Sequence, residues 1–167
     1  YYGKTKLESE NILIGSNREY LIFRPNVLFG PTGNNFFTYV YNSLKQNKNI
    51  NIVDDQISNP AYISSFSKCI FDAIILDCEG LYHYGSLNSI SRYDFSIQIA
   101  EYFNFNRDLI NSINSDSLNQ KAIRPKNTTL LCHKIVNHLD IELFPINYYL
   151  NKISNFYEWY INYYPDI

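Results

Sequence analysis

A tyrosine and a lysine near the start of the chain are the residues whose types and spacing most clearly allow chemistry. Tyr2 and Lys6 lie four positions apart, and residues at that spacing share one face of an α-helix. A phenol is a poor acid or base near neutral pH, but a neighbouring ammonium group and the start of a helix both stabilise the phenolate. The pair can then exchange a proton with a carbonyl or hydroxyl group of a ligand. Such pairs also arise by chance, so the interpretation depends on the rest of the chain.

The three cysteines favour reduced thiols. Cys69, Cys78 and Cys132 are odd in number, far apart and in no Cys-x-x-Cys pattern. That arrangement indicates neither a disulfide framework nor a zinc site, and reduced thiols are typical of the cytoplasm. We therefore expect a cytoplasmic protein.

The histidines and one pair of aspartates are interpreted as structural. His83 lies in a strand-like run, where a packed or hydrogen-bonded histidine is more common than an acid or base. No carboxylate or thiol accompanies His133 or His138 in a metal-ligating arrangement, so no metal site is predicted. Asp54 and Asp55 follow a predicted strand and are expected to form a solvated turn.

Composition indicates a folded chain. Its 167 residues are 46% hydrophobic and 18% charged, too apolar for disorder and too interrupted by polar residues for a membrane span. The formal net charge is −2 and no basic block occurs, so neither nucleic acid nor a membrane is an expected partner. The chain contains no methionine, which favours a piece of a longer protein over a complete translated product.

Helices that alternate with strands must position these residues. In chain order, the patterns predict a helix over residues 4–16, a strand over 20–23, a loop over 30–34, a helix over 36–46, a strand over 50–53, a polar connection over 54–60, a helix over 66–74, a strand over 81–84, a helix over 95–103 and a last helix over 146–160. Ser91 and Asp94 resemble a capping box. The alternation predicts an α/β protein with at least part of its sheet parallel, and residues 104–127 show no clear pattern.

Several short motifs resemble one known family in both order and spacing. The run YGKTKLESE at residues 2–10 resembles the catalytic helix of extended short-chain dehydrogenase/reductases, in particular the dTDP-4-dehydrorhamnose reductase family. The other matching segments are residues 21–24, 27–30, 33–36, 53–56 with Pro60, 80–83 and 124–127. The chain is therefore similar to the C-terminal part of an NAD(P)-binding Rossmann fold with its smaller substrate-binding α/β lobe. By this resemblance, residues 1–33 hold the catalytic helix and a late Rossmann strand, and residues 34–167 are mainly the substrate-binding lobe.

The resemblance implies reduction of a 4-keto-6-deoxysugar carried on a nucleoside diphosphate, with NADPH or NADH as cofactor. By similarity, Tyr2 donates a proton to the C4 oxygen and Lys6 binds the nicotinamide ribose. Pro25 and Asn26, just past the end of a strand, are expected on the nicotinamide side. Arg124 is expected to bind the diphosphate through bidentate hydrogen bonds, the alternative being a solvated arginine ahead of a rigid proline.

Three departures from the family limit what the resemblance implies. The substrate-stacking tryptophan of the family falls at Val27, a substrate-binding position without a ring, so the sugar or its nucleotide can differ. Ser65 stands where the family usually has an aspartate. No Gly-x-x-Gly-x-x-Gly motif occurs, so the cofactor diphosphate has no backbone cradle here and the chain alone is expected to be inactive. The expected partners are a nucleotide sugar, the N-terminal half of the same fold and, in a homodimer, a second copy.

Two other functions are compatible with the resemblance. Sugar-nucleotide epimerases and epimerase/reductases of this kind use the same tyrosine and lysine, and product analysis would separate them from a reductase. Other relatives are non-catalytic regulatory subunits that keep the fold and bind a partner enzyme. The intact pair of Tyr2 and Lys6 argues against the regulatory function.

Overall fold

Helices and short strands alternate along residues 1–118, 122 and 124–163, which are the residues that the computed structural model describes. The helices are α1 (Tyr2–Ile14), α2 (Phe36–Lys45), α3 (Ile63–Ile75), α4 (Arg92–Tyr102), α5 (His133–Leu139) and α6 (Ile146–Tyr163). The strands are β1 (Leu21–Pro25), β2 (Leu28–Phe29), β3 (Ile50–Val53), β4 (Ile57–Ser58), β5 (Ala61–Tyr62), β6 (Gly80–Tyr84), β7 (Ile90–Ser91) and β8 (Ile110–Ile113). Two 3₁₀ turns lie at Arg107–Leu109 and Ser115–Ser117.

The strands pair two by two, mostly in parallel. β1 pairs with β6, with Leu21 opposite Gly80 and Pro25 opposite Tyr84. β2 pairs with β5 and β3 with β8, also in parallel, whereas β4 and β7 are antiparallel. Parallel strands need long crossover connections, which the intervening helices provide. The pairing confirms the predicted α/β class with parallel strands.

The larger apolar core lies among α2, α4, α6 and β3. The stripe predicted for the last helix is confirmed at its buried members Ile146, Tyr149, Leu150 and Ile153. Tyr157 packs against this core, its ring stacked on Tyr41 with centroids 4.7 Å apart. Full burial of one such side chain stabilises the fold by about 1.5–3 kcal/mol, so this cluster is a major source of stability. The side chains of residues 159 and 160, which the pattern also placed here, lie outside the described residues.

A second core surrounds β6 and lies between α3 and α5. Its buried members include Phe66, Cys69 and Ala73 of α3 and Ile135 of α5. Phe23 of β1 packs on its edge, 5.6 Å from the ring of Phe66. The two clusters flank the strand ends at which Pro25, Asn26 and Val27 were predicted to act. The predicted division between residues 1–33 and 34–167 stays a prediction.

Most of the longer elements lie where the sequence predicts them. The strand at 50–53 has its predicted bounds, and α2 and α4 differ from prediction by a few residues at their ends. α1 begins at Tyr2 rather than residue 4, which places Tyr2 inside the helix. The prediction of a polar loop over residues 54–60 is wrong, because this stretch contains β4. Residues 104–127, which showed no clear pattern, contain β8. Among the described residues, no helix is long and apolar enough to cross a membrane.

Candidate active site

Four residues that the sequence placed at the ligand line one cleft. Pro25, Asn26 and Val27 come directly from the end of β1, and Arg124 faces them from the segment after β8. The cleft has a volume of about 240 Å³. The carboxyl end of a parallel strand is where open α/β sheets bind their ligands. The structure therefore brings these four predicted residues together.

The side chain of Asn26 forms three hydrogen bonds just past the end of β1. Its Nδ2 donates to Asn59 Oδ1 and to the carbonyl oxygen of Thr128, both at 2.8 Å. Its Oδ1 accepts from the backbone N–H of Val27 at 2.8 Å. These bonds use both amide donors and one of the two lone pairs of the oxygen. The side chain therefore fixes the shape of the cleft at the end of β1.

Asn59 connects the strand end to two further segments. Its Nδ2 donates to the carbonyl oxygens of Leu130 and Ser86 at 3.0 and 3.3 Å, and its Oδ1 accepts from the N–H of Leu130 at 2.9 Å. The side chain is only 3% exposed, so these bonds satisfy polar groups that are cut off from water. Loss of this side chain would leave several buried backbone groups without partners.

The two-residue strand β4 and its neighbours form backbone hydrogen bonds with the segments that carry the polar residues of the site. β4 pairs with β7, which directly precedes Arg92, and the N–H of Arg92 donates to the carbonyl oxygen of Gln56 at 3.1 Å. On its other side, the N–H of Ile57 donates to the carbonyl oxygen of Lys126 at 2.7 Å, and the N–H of Thr128 donates to the carbonyl oxygen of Ile57 at 2.9 Å. β4 therefore places Gln56, Arg92 and the segment from Arg124 to Thr128 side by side.

A helix cap fixes the backbone of Arg92. Ser91 Oγ accepts from the N–H of Asp94 at 2.9 Å, as the predicted capping box requires. The return bond differs from the prediction, because the carboxylate of Asp94 accepts from Ser91 Oγ at 2.7 Å rather than from a backbone N–H. The cap makes Arg92 the first residue of α4.

Two arginines face a second cleft that adjoins the first. This cleft of about 290 Å³ shares Gln56, Arg92 and Arg124 with the strand-end cleft and is also lined by Phe36. The guanidinium of Arg92 lies over the ring of Phe36, 5.0 Å from its centroid. Burial, and secondarily the charge of Arg124, lowers the pKa of Arg92 from its usual value, although an arginine stays protonated in proteins.

Tyr2 and Lys6 lie side by side on α1, as their spacing predicts. Lys6 Nζ lies 5.6 Å from the centroid of the Tyr2 ring. The Tyr2 side chain is 75% exposed, and Lys6 is exposed too. Lys6 makes no ion pair or side-chain hydrogen bond with any residue that the structure describes. Both polar groups are therefore free to meet a ligand.

The Tyr2–Lys6 pair and the strand-end cleft are separate surfaces in the structure. Neither residue lines that cleft. The link between them is an ion pair, in which Arg24 of β1 holds Glu10 of α1 through two hydrogen bonds, one of them from Nε to Oε1 at 2.9 Å. Glu10 lies eight residues beyond Tyr2, about 12 Å along a helix. The hydrogen bond and charge of Arg24 hold the pKa of Glu10 below its usual value.

Asp55 corrects one expectation from the sequence. It was expected in a solvated turn, but its carboxylate accepts from the N–H and Oγ of Ser115 at 3.0 and 2.7 Å and pairs with Lys126 Nζ at 3.2 Å. Asp54 is exposed and accepts from Ser112 Oγ. Asp55 therefore ties the end of β3 to two later segments, which sequence spacing could not show.

Two histidines and the three cysteines lie within the packed structure rather than at the cleft. His138 Nδ1 lies 2.6 Å from the hydroxyl of Tyr82, and His83 lies opposite Arg24 in the β1–β6 pair. All three cysteines are free and buried. Within the described part of the chain, no group of three or more His, Cys, Asp or Glu side chains is placed to hold a metal ion.

The sequence interpretation missed Gln56, Arg92 and Asn59. Gln56 belongs to a segment that was matched only as a motif, and Arg92 was not singled out. Their position at the cleft depends on the pairing of β4 with β7, two strands of two residues each. Strands so short carry no usable periodicity, so no local signal pointed to these residues.

These features define a class of protein. A parallel strand pair between helices, a Tyr-x-x-x-Lys helix and a cleft past the end of β1 are features of the extended short-chain dehydrogenase/reductases. The chain belongs to the family described as RmlD substrate binding domain, which it matches over residues 1–158.

Known proteins resemble this chain in sequence and in structure. A dTDP-4-dehydrorhamnose reductase of Aggregatibacter actinomycetemcomitans is 32% identical over 152 residues, which span 84% of this chain and 52% of that protein. A dTDP-4-dehydrorhamnose reductase of Bacillus anthracis, solved with NADP, superposes with a TM-score of 0.85 at 24% identity and covers 92% of this chain and 54% of its own. An orthologue from Clostridium acetobutylicum gives 0.81 at 26% identity, covering 92% and 55%. The chain spans about half the length of the relatives it matches.

Proposed function

We propose that this chain supplies the catalytic helix and the sugar-nucleotide cleft of an NAD(P)H-dependent reductase whose substrate is a nucleotide-linked 4-keto-6-deoxysugar. The observation that carries the proposal is the cleft past the end of β1, where Pro25, Asn26, Val27 and Arg124 meet. The similarity to dTDP-4-dehydrorhamnose reductases supports the substrate class. The proposed place of action is the cytoplasm.

Tyr2 is the proposed proton donor and Lys6 its partner. The Tyr2 hydroxyl donates to the oxygen of the reduced carbonyl, and the neighbouring ammonium stabilises the phenolate that remains. The ammonium of Lys6 also binds the hydroxyls of the nicotinamide ribose, a role that is open to it because it forms no ion pair or side-chain hydrogen bond with the residues that the structure describes. NADPH or NADH, when bound, supplies the hydride. Pro25 and Asn26 border the nicotinamide side of the cleft through their backbone.

A Gly-rich half of the fold is the proposed partner that completes the cofactor site. The exposed apolar side chains of two helices support this proposal: Leu7, Ile12, Leu13 and Ile14 on α1, and Phe71, Ile74 and Ile75 on α3 with Leu76 directly after it. Apolar surface of this extent in a soluble protein usually marks a contact with another segment or chain. The half fold can belong to the same polypeptide or to another one.

Val27 limits the identity of the substrate. The residue lines the cleft, and its short aliphatic side chain offers no ring on which a base or sugar could stack. The substrate class therefore rests on the similarity to the reductases, and the product assay identifies the nucleotide base and the sugar configuration.

The test is a product assay on the chain combined with a Gly-rich cofactor-binding half. We expect NADPH or NADH to be oxidised only when a nucleotide-linked 4-keto-6-deoxysugar is present, with one 4-hydroxy product per cofactor consumed. A change of sugar configuration without net cofactor oxidation would replace the proposal with an epimerase. Cofactor binding without turnover, together with co-purification of another enzyme, would replace it with a regulatory subunit.

A further inference from the structure

Glu10 connects α1 to the sheet. Its carboxylate accepts two hydrogen bonds from Arg24 of β1, one of them from Nε to Oε1 at 2.9 Å. Among the described residues, the remaining side-chain hydrogen bonds and ion pairs of α1 stay within the helix and come from Thr5, Ser9 and Lys4. The pair of Glu10 and Arg24 is therefore the polar contact that joins this helix to a strand.

α1 has few other contacts to hold it on this chain. The helix has 13 residues, none of them buried, and no side chain caps its first turn. Isolated helices of about 12–15 residues or fewer are marginal in water, and most helices of proteins are stabilised by burying an apolar face. α1 buries no such face, so its position depends strongly on Glu10, whose side chain is only 17% exposed.

The sheet presents positive groups to the Glu10 carboxylate. Arg24 lies opposite His83 in the parallel pairing of β1 and β6, so both side chains stand on the same face of the sheet. The neighbouring side chains of Phe23 and Tyr82 belong to the second core on the other face. The hydrogen bond from Arg24 is the main reason why the pKa of Glu10 lies below its usual value, and His83 acts in the same direction. Glu10 is therefore ionised near neutral pH, as the pair requires.

Glu10 lies on the stripe of α1 that carries Tyr2 and Lys6. Residues of an α-helix follow one another at about 100°, so each four-residue step from Tyr2 to Lys6 to Glu10 turns the side chain by only about 40°. A rotation of the helix by one residue would turn all three side chains away together. Apolar contacts with a cofactor-binding half have no preferred direction, whereas a bidentate pair has a fixed geometry. The pair is therefore the contact that can select one rotation of the helix.

From these observations we infer that Glu10 is a positioning residue, whose pair with Arg24 fixes the rotation of α1 and thereby the direction of Tyr2 and Lys6. Arg24 directly precedes Pro25, which lines the strand-end cleft, so the pair relates the catalytic helix to that cleft. The inference rests on the proposed function for the chemistry of Tyr2 and Lys6, but the anchoring of the helix is measurable without that chemistry.

The first test is amide hydrogen exchange in the chain alone. We expect Glu10→Gln to speed exchange of the α1 amides by at least about fivefold, because a bidentate charge-assisted pair is stronger than a single exposed ion pair. Glu8→Gln is the matched control, since it removes the same charge from the same helix but loses only a partner within it, and its effect should stay within about twofold. The amides of α2 should not change in either variant, which shows that the remaining fold is intact.

Two results of the exchange measurement would overturn the inference. One is equal exchange of the α1 amides in Glu10→Gln and Glu8→Gln. The other is exchange of these amides in the unchanged chain as fast as in an unfolded peptide, because the pair would then not hold the helix.

The second test separates positioning from a general structural role, in the chain combined with a Gly-rich half. We expect Glu10→Gln to lower kcat by at least about tenfold and to leave the KM for the nucleotide sugar within about twofold, because a misplaced phenol slows proton transfer while the strand-end cleft is unchanged. Reversal of the pair, by Glu10→Arg together with Arg24→Glu, should restore most of kcat and of the α1 protection. A raised KM with unchanged kcat, or no recovery on reversal, would overturn the positioning role.

Failure of the proposed function would give a different result. The unchanged combined protein would then fail to oxidise the cofactor, or Tyr2→Phe would keep full activity. The exchange rates of the α1 amides would still decide, in either case, whether Glu10 anchors the helix.

Discussion

Near the strand-end cleft, single polar side chains join segments that lie far apart in the sequence. Asp55 is the example, because its one carboxylate holds a 3₁₀ turn and a loop lysine beside the end of β3. The hydrogen bond from Ser115 Oγ, and then the Ser115 N–H and Lys126, hold the pKa of Asp55 below its usual value against a smaller opposing effect of burial. The ionised form is therefore the one that stabilises the fold.

Because the pKa of Asp55 is lower in the folded chain, the free energy of unfolding falls as the pH is lowered. A carboxyl group with a lowered pKa contributes stability above its unfolded pKa of about 3.9 and loses it as pH falls through the lower folded value. We expect Asp55→Asn to unfold at lower urea than the unchanged chain at pH 7, with the difference shrinking between pH 5 and pH 3. Ser115→Ala should reduce the same acid dependence. A difference that stays constant with pH would contradict this account.

The thiols give a second prediction about individual residues. Burial raises the pKa of Cys69 to about 12 and also raises the pKa of Cys132. Because the thiolate is the reactive form, Cys69 of the native chain should react with a disulfide reagent at pH 8 more than about a hundredfold more slowly than in the unfolded chain. Three thiols should appear on unfolding. One thiol that reacts quickly in the folded chain would show a reactive cysteine that the structure does not support.

At the scale of elements, β4 shows what sequence reasoning could and could not predict. α2, α3, α6 and β3 were predictable, because they carry a clear apolar periodicity over several residues, whereas α5 and β8 were not predicted. Arg124 and the Pro25–Val27 segment were predicted from a motif resemblance. β4 has two residues, yet its hydrogen bonds to β7 and to residues 126–128 bring Arg92 and Gln56 into the cleft. Such long-range pairing leaves no local pattern.

Close packing between β6 and the turn before β5 gives a prediction at this scale. A Cβ atom at Gly85 would lie 2.5 Å from the carbonyl oxygen of Asn59 and 2.6 Å from its Nδ2. Gly85→Ala must therefore displace the residue that links Asn26, Ser86 and Leu130. We expect the free energy of unfolding to fall by about 2 kcal/mol, measured by urea denaturation. Gly3→Ala, where no atom lies within 4 Å of the added Cβ, is the control and should cause no loss. Equal stability of the two variants would contradict the proposed role of Asn59.

At the scale of the whole molecule, the chemistry is divided between two surfaces. The strand-end cleft is lined by residues of this chain, among them Gln56, Arg92 and Arg124, whereas Tyr2 and Lys6 lie on an exposed helix that the Glu10–Arg24 pair attaches to β1. α1 has no buried residue among those described. The helix therefore depends on further contacts for a fixed position, and the proposed cofactor-binding half would supply them.

The proton-donor role of Tyr2 is tested most directly by comparing Tyr2→Phe with Tyr1→Phe in the chain combined with a cofactor-binding half. The measured quantity is the rate of NADPH or NADH oxidation in the presence of the nucleotide-linked keto sugar. Both tyrosines are exposed and adjacent, so the two changes disturb the fold equally little. We predict that Tyr2→Phe lowers the rate by at least about a hundredfold, the usual contribution of a positioned acid, and that Tyr1→Phe leaves it unchanged. Equal rates in the two variants would contradict the account.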